Sequence, residues 1–383
     1  MGLSIAGSCA RRAERSTVAS SPALDQAVLV AWTGPESGDP ATTQLLKAIA
    51  EAASSIDFAT VSADLRPDVI AALERAKERG VALRGIVQQP REACRTFGAA
   101  ATNLASLLAP DALHCIRPAG RRGHLRFLVV DESSVWLGGE GAIETPSGSR
   151  ATRDDLTAWI RSASLANLFR NEIRQLDGEP APELPTAIGG PTHAAAESVR
   201  VFFSPAQSGL GEAIQPMIES ARQRLDIAVL HLQAPPTEAV LAKALRRGVQ
   251  VRVLVDACGA ITSRPALEAL CAGGAHVKVD DTPVGMQGRW AVADSRTADA
   301  QVVFGSMAWS TASDTGAVEQ TVWLRDGRAS DAVGDHFDAR WRQLGHVASC
   351  DLAAPACPCS GASANEKPAD HTGVIDCRAV VDP

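Results

Sequence analysis

The sequence has no tyrosine, and aromatic residues make up only 4% of its 383 residues. It also lacks a long block of lysine or arginine, and its formal net charge is -7. Sequence-independent binding of nucleic acid relies on clustered positive charge for the phosphates and on aromatic rings for the bases. From this composition we do not expect nucleic acid to be a partner.

Long apolar runs are absent as well, since none reaches the roughly 20 residues of a membrane-spanning helix. We therefore expect the body of the chain to be soluble. At the N-terminus, small residues lead to Cys9 and resemble the end of a lipoprotein signal, but a basic start and a full apolar stretch of about 7–15 residues are missing. Two locations stay open: the bacterial cell envelope, as a lipoprotein or periplasmic protein, if Cys9 is lipidated, and otherwise the cytoplasm.

Nine cysteines are many for a cytosolic enzyme. If Cys9 carries lipid, the other eight can form disulfides, whose connectivity the sequence cannot give, and buried free thiols are the alternative. In chain order the eight are Cys94, Cys115, Cys258, Cys271, Cys350, Cys357, Cys359 and Cys377. The tail cysteines and His371 match no common zinc spacing, so we expect a disulfide-linked or unstructured tail and no metal.

Two segments of the chain resemble each other, one from Gln44 to Val87 and one from Gly209 to Val255. Each contains an amphipathic helix that leads into an apolar strand, and then a second helix that ends at a glycine, Gly80 or Gly248, before another strand. Glycine suits the left-handed position at the end of a helix. The alternation of strands and helices predicts an α/β unit present twice, with a parallel or mixed sheet in each copy.

The repeat fixes a domain scheme of five parts. We expect an N-terminal segment at 1–25, a first repeat at 26–178, a linker rich in Pro, Gly, Ala and Thr at 179–198, a second repeat at 199–346, and a Cys/Pro-rich tail at 347–383.

Copy one contains a motif built on His124 and Arg126, followed by Asp131 and by Gly138 and Gly139. The spacing resembles the phospholipase D superfamily motif, His-x-Lys, four residues, Asp, six residues, Gly-Ser, with arginine in place of lysine and glycine in place of serine. Alternation along a strand puts the imidazole and the cation on one face, where both can address one phosphate.

Copy two keeps the spacing of the motif but has lost its histidine. Gln287 stands at the histidine position, Arg289 at the lysine position, and Asp294 at the aspartate position. The second copy also retains the Gly-Ser step with Ser306, and Glu319 on a downstream strand. The chain most resembles the cardiolipin synthase-like members of the superfamily, which have two repeats, but its own second motif is degenerate. The resemblance covers roughly residues 26 to 346.

The resemblance implies the fold: α/β, with two phospholipase D-like repeats, each a mixed β-sheet flanked by helices, packed pseudo-symmetrically. It also implies roles. His124 is the expected nucleophile that forms a phosphohistidine, and Arg126 and Arg289 are the expected clamps on the phosphate oxygens. Gln287 replaces the general acid, and an amide cannot release a proton at physiological pH. Because Asp131 and Asp294 follow the strands, we expect them to orient the motif.

The remaining candidates are expected to line the substrate site: Gly138, Gly139, Ser306, Glu319 and His231. His231 follows an apolar strand of copy two, and the carboxyl ends of strands often carry functional groups. We treat it as a candidate replacement for the missing acid, although a lone histidine beside an apolar run is more often packed or capped. For His114 and His336 we expect only that structural role.

Three functions follow in order of preference. The first is a phosphodiesterase or phosphatidyltransferase that acts slowly on phospholipids. The second is a catalytically inactive relative that binds phosphate-containing ligands or a partner, and the third is a nuclease. The expected substrate is a phospholipid or another phosphodiester, with possible membrane-surface contact and no cofactor. A monomer is expected because the two repeats pair within one chain.

Overall fold

We analysed a computed structural model of the chain. The structure describes residues 28–34, 39–89, 104, 107–108, 112–116, 122–145, 152–178, 187–188, 198–282, 285–345 and 347–352. Cys9 and residues 353–383 of the tail, with the possible zinc ligands Cys357, Cys359, His371 and Cys377, lie outside these ranges.

The first repeat contains nine strands and four helices among its described residues. They are β1 Leu29–Trp32, α1 Pro40–Glu51, β2 Ser55–Thr60, α2 Pro67–Glu78, β3 Ala82–Val87, β4 Leu113–Cys115, β5 Arg122–Gly123, β6 Phe127–Val130, β7 Ser134–Leu137, α3 Glu140–Ile143, β8 Thr152–Arg153, β9 Leu156–Arg161 and α4 Ala163–Leu176.

The second repeat contains a π-helical turn at Leu210–Ile214, and the short strand named first below, β10, lies in the linker before it. Its described elements are β10 Ala187–Ile188, β11 Ser198–Ser204, α5 Gln215–Ser220, β12 Arg224–Val229, β13 Leu232–Gln233, α6 Pro235–Arg246, β14 Gln250–Asp256, α7 Ala257–Thr262, α8 Arg264–Ala272, β15 His276–Asp280, β16 Gly285–Met286, β17 Arg289–Ala293, β18 Gln301–Gly305, β19 Trp309–Ser310, α9 Thr311–Gly316, β20 Ala317–Arg325 and α10 Gly327–Gln343.

Several helix boundaries follow from local sequence. Prolines at the first turns of α1, α2 and α6 fit because a helix needs no backbone donor there. Asp39, Ser162 and Asp326 each accept a hydrogen bond from a backbone N–H of the first turn. Gly80 and Gly248 have φ of +89° and +87°, so the prediction of a left-handed residue after α2 and α6 is confirmed.

The two repeats form sheets of the same design. The first has the order β1-β9-β7-β6-β2-β3-β4, and the second has the order β10-β11-β20-β18-β17-β12-β14-β15. In the first, β2 pairs in parallel with β3 and antiparallel with the motif strand β6. In the second, β12 pairs in parallel with β14 and antiparallel with the motif strand β17. The predicted mixed α/β repeats are confirmed.

A hydrophobic core is shared by the two repeats. It combines Phe127 and Phe169 of the first repeat with Trp290, Phe304 and Phe337 of the second. Each repeat also has its own core beneath its helices. Burial of about 25 cal/mol per Å² of apolar surface makes such a shared core the main force between the repeats.

Two equivalent strand pairs between the repeats make the packing pseudo-symmetric. β5, just before His124, pairs in parallel with β20 of the second repeat. β16, just before Gln287, pairs in parallel with β8 of the first repeat. Each motif is therefore anchored on the strand region of the opposite repeat.

A disulfide joins Cys271 of α8 to Cys350 at the start of the tail, a separation of 79 residues. Cys115 and Cys258 are disulfide-bonded as well. The alternative of buried free thiols is therefore wrong for these four residues. The order of the cysteines along the chain did not reveal the pairing, because α8 and the tail meet only in the folded protein.

Candidate active site

His124 is held at the boundary between the repeats. Its backbone N–H donates to the carbonyl oxygen of Val318 at 2.9 Å, which extends the pairing of β5 with β20. The side chain is 38% exposed, so the ring combines a fixed backbone with an accessible edge. A residue of the first repeat is thus presented on a strand of the second.

Glu319 of β20 organises the ring of His124. The Nδ1 atom of His124 lies 2.6 Å from Oε1 of Glu319, whose side chain is only 1% exposed. Ser313 donates to the same oxygen at 2.6 Å, and Ser306 donates to Oε2 at 2.7 Å. Because a carboxylate only accepts hydrogen bonds, the proton of the neutral ring resides on Nδ1 and the lone pair on Nε2.

Arg126 is the more enclosed of the two motif cations. Its Nη2 donates to Oε2 of Glu144 at 2.9 Å, and both side chains are buried. Oε1 of Glu144 in turn accepts from the backbone N–H groups of Val61 and Ser62 at 2.7 and 3.2 Å. The motif cation of the first repeat is therefore fixed by a buried ion pair.

Arg289 has a different environment. Its Nη2 donates to Oε1 of Gln287 at 3.1 Å, and its buried Nε finds no hydrogen-bond partner among the described residues. Trp290 lies on the opposite face of β17, in the shared core, and donates from Nε1 to the carbonyl oxygen of Asp154 at 2.8 Å. Trp290 therefore does not occupy the space beside Arg289.

His231 lies close to these groups. Burial and the positive charge of Arg289 lower the pKa of His231 to about 4, and the negative charge of Glu319 opposes them. Its ring makes no hydrogen bond within the described part of the chain. The structure therefore places His231, Arg289, Glu319 and His124 in one neighbourhood.

Asp131 and Asp294 lie at the far ends of the motif strands and form equivalent turns. Asp131 accepts from the backbone N–H groups of residues 53, 54 and 55 at 2.7 to 3.0 Å. Asp294 accepts from those of residues 222, 223 and 224 at 2.7 to 2.9 Å. Both have φ of +50°. Their carboxylates tie the end of each motif strand to the start of the strand beside it.

At the two glycines of the first motif, neighbouring side chains occupy the space that a Cβ would take. A Cβ on Gly138 would lie 1.9 Å from the ring of Trp136, and a Cβ on Gly139 would lie 1.3 Å from Oδ2 of Asp155. In the second repeat Ser306 occupies the corresponding step and bonds to Glu319. Trp136 and Asp155 therefore occupy the positions that a Cβ at Gly138 or Gly139 would need.

His114 and His336 each contact a carboxylate. His114 pairs through Nδ1 with Asp177. His336 lies 2.9 Å from Asp154 and stacks on Trp32 with ring centroids 4.2 Å apart.

Sequence reasoning missed three residues that shape the site, namely Glu144, Ser313 and Asp155. Because a buried cation requires a partner, the sequence predicts a carboxylate near Arg126, but it does not identify that carboxylate as Glu144. No spacing pattern marks Ser313 or Asp155. In the described ranges no cluster of His, Cys, Asp or Glu could hold a metal ion, and no helix there is long and apolar enough to cross a membrane.

Comparison with known proteins gives the same assignment for both halves of the chain. The family model described as "Cardiolipin synthase, PLD-like domain" matches residues 45–176 and 214–341. A search of the curated proteins finds no match. Among solved structures, a phosphatidylserine synthase from Haemophilus influenzae Rd KW20 is similar with a TM-score of 0.61 and 14% identity, over 80% of this chain and 85% of that one.

A polyphosphate kinase from Porphyromonas gingivalis is also similar, with a TM-score of 0.58 and 15% identity. The match covers 82% of this chain and 47% of that one, so this chain spans about half the length of the kinase. At such identities the solved structures establish the fold alone. Because the family model matches most of both repeats, the chain belongs to the cardiolipin synthase-like family of phospholipase D-like proteins.

Proposed function

We propose that the protein cleaves or transfers the phosphodiester group of phospholipids through a phosphohistidine on His124, at a reduced rate. The hydrogen bond of 2.6 Å between His124 of one repeat and the buried Glu319 of the other carries this proposal. A histidine oriented by a buried carboxylate at an accessible edge has the geometry of an activated nucleophile.

The first chemical step uses Nε2 of His124. Its lone pair attacks phosphorus, an N–P bond forms, and the P–O bond to the leaving alcohol breaks. Glu319 keeps the other nitrogen protonated and stabilises the positive charge that the ring acquires. In the second step water, or an acceptor alcohol, attacks phosphorus and the N–P bond breaks. Water gives hydrolysis and an alcohol gives transfer.

Arg289 is the stronger candidate to bind the phosphate oxygens. Its guanidinium reaches only the amide of Gln287 and keeps a buried Nε without a partner in the described residues. Arginine can contact a phosphate through two donors at once. Arg126 already pairs with Glu144, so its charge contributes from a fixed position.

Gln287 limits the rate in this proposal. Its side chain is buried and accepts from Arg289, and it has no ionisable proton to give to the leaving oxygen. Loss of a general acid typically costs about 10²–10⁴ in rate. Turnover should therefore be slow with alcohols that leave poorly.

Asp131 and Asp294 act in this proposal as positioning residues, since their carboxylates are occupied by backbone N–H groups. Ser306 and Ser313 act through Glu319. The protein works as a monomer, because the two repeats complete one site within a single chain, and it meets its lipid substrate at a membrane surface.

Phosphate binding without turnover is the second candidate function. The observation that favours it is the contact between Gln287 and Arg289, where a histidine would otherwise stand. A nuclease is disfavoured by the net charge of -7 and the scarcity of aromatic residues.

Incubation of the purified protein with a labelled phospholipid, followed by acid-labile phosphate analysis and intact mass, tests the proposal. We expect an adduct and slow product formation that both disappear in His124→Ala. A folded wild-type protein that binds inorganic phosphate but forms neither adduct nor product would support the second candidate and overturn the first.

A further inference from the structure

The register of two neighbouring strands, continued by two residues, brings a histidine opposite the position where the second motif has lost its own. β12 and β17 are antiparallel neighbours, with Val229 opposite Arg289. The N–H of Leu230 then donates to the carbonyl oxygen of Gly288 at 2.7 Å, which continues the ladder by one residue. The next pair in this register is His231 and Gln287.

Residues directly opposite each other in an antiparallel pair have side chains on the same face, with Cβ atoms about 4.5–5.5 Å apart. Continued past the end of β12, this register puts His231 on the side of Gln287 and Arg289, and the charge of Arg289 acts on its ring. The electrostatic influence of Glu319 on the ring places His231 near the carboxylate that holds His124 as well.

The ring of His231 is available for chemistry. It is partly buried and lacks a hydrogen bond to the described residues. His114 and His336, in contrast, are each engaged by a carboxylate. With a pKa of about 4 the imidazole is neutral at pH 7 and can accept a proton.

We propose that His231 is the proton-transfer residue of the site, reaching the reacting oxygens from the neighbouring strand in place of Gln287. This inference rests on the proposed phosphohistidine chemistry. In the first step the small fraction of His231 that is protonated at pH 7 gives its proton to the leaving oxygen as the P–O bond breaks, which keeps this step slow. In the second step it takes a proton from the attacking water as the O–P bond forms and the N–P bond breaks.

Two substrates separate the roles of the two histidines. A phosphodiester with p-nitrophenol as leaving group needs no acid in the first step, whereas phosphatidylcholine releases an alkyl alcohol that does. Burst release of nitrophenol and the mass of the adduct report the attack by His124. Steady-state turnover reports proton transfer.

For His231→Ala with the nitrophenyl substrate, we expect the burst and the adduct to remain while turnover falls by about 10²–10⁴. Added imidazole should restore part of that turnover by occupying the vacated space. Hydrolysis of phosphatidylcholine should be lost. The matched control is His276→Asn, a histidine exposed on β15, which should behave as wild type. Thermal unfolding of every variant, and the less disruptive His231→Gln, show whether a loss of activity comes from loss of the fold.

The outcomes distinguish the two proposals. Turnover in His231→Ala equal to that in His276→Asn, with activity still dependent on His124, would overturn the role of His231 and leave the proposed function standing. Loss of the burst as well in a folded His231 variant would also overturn it, since the side chain would then be needed for attack or binding. A wild-type protein without adduct or turnover would overturn both.

Discussion

At the scale of single residues, the environment of Glu319 determines what His124 can do. Each of its carboxylate oxygens is engaged by a serine hydroxyl, and Oε1 also meets the imidazole. A buried anion held by three partners cannot swing away from the ring without breaking several hydrogen bonds. The tautomer and orientation of His124 are consequently set before any substrate arrives.

Replacing Glu319 by glutamine is expected to slow formation of the phosphohistidine by about 10²–10⁴-fold, because the amide no longer stabilises the charged ring or fixes its tautomer. KM should change little, since Glu319 acts through His124. Stopped-flow measurement of nitrophenol release gives both quantities.

Ser313→Ala is the control for Glu319→Gln. It removes one hydrogen bond from the carboxylate and leaves the contact with His124, so a much smaller loss is expected. Wild-type adduct formation in Glu319→Gln would show that the short contact is not part of the chemistry.

Glu172 of α4 gives a pH-dependent prediction that is independent of the site. Burial raises its pKa to about 7, above the ordinary value of about 4.3 for glutamate. The folded protein therefore holds this proton more tightly than the unfolded chain, and the contribution of Glu172 to stability falls as the pH rises from about 4.5 through 7.

We expect Glu172→Gln to raise the free energy of unfolding by about 2–3 kcal/mol at pH 8 and to change it little at pH 4. Urea unfolding at both pH values measures the difference, with Glu51→Gln, an exposed glutamate, as control. An equal effect at both pH values would show that the charge of Glu172 is not the cause.

Individual motif residues were predictable because their spacing is local. His124 and Arg126 lie two positions apart, and the sequence was sufficient to propose their roles. Glu319 was also identified, but its contact with His124 spans 195 positions and was not. Glu144 is only 18 positions from Arg126 but was also missed, since it reaches Arg126 only after β7 and the short helix α3 have folded back.

At the scale of strands and helices, the two motif strands are secured by the same device. Burial raises the pKa of Asp131, but hydrogen bonds from Ser55, Ala53 and Ser54 outweigh it and hold the pKa below its ordinary value. Asp294 makes the same set of bonds in the second repeat. The same turn at the end of both motif strands indicates that the fold of each repeat requires it.

Asp131→Asn and Asp294→Asn are each expected to lower the free energy of unfolding by about 1–3 kcal/mol at pH 7, because an amide satisfies fewer of the backbone donors. For Asp131 the loss should shrink below about pH 3.8, where the wild-type carboxylate also takes up a proton. Chemical unfolding across this range provides the measurement.

Adduct formation by the same two variants, well below their unfolding transitions, shows whether the aspartates have a chemical role. We expect rates close to wild type, because the two aspartates lie at the far ends of the motif strands and only hold those strands in position. A large loss of rate without loss of stability would assign them to the reaction.

The repeated elements were predictable from helix periodicity and the glycines that end α2 and α6. The short strands β5, β8 and β16 were not, because two residues carry no pattern. They form through pairing with the opposite repeat, and only the folded whole supplies those partners.

At the scale of the whole molecule, a buried ionic network joins the repeats beside their shared core. Asp154 of the first repeat accepts from Arg340 at 2.7 Å and contacts His336 at 2.9 Å. Arg340 also donates to the buried Asp280 at 2.6 Å. Removal of one member leaves buried charge that the others compensate only in part.

Asp154→Asn is a conservative test of this network, because asparagine tolerates the left-handed backbone found here, with φ of 63°. We expect a loss of about 3 kcal/mol in the free energy of unfolding, the low end for a broken buried pair, since Arg340 keeps Asp280. Asp335→Asn removes an exposed partner of Arg296 and should cost less than about 1 kcal/mol. Because the site is assembled from both repeats, Asp154→Asn should also slow adduct formation, even at temperatures below its unfolding transition. Equal losses in the two variants would mean that the shared apolar core alone holds the repeats, and with them the site, in place.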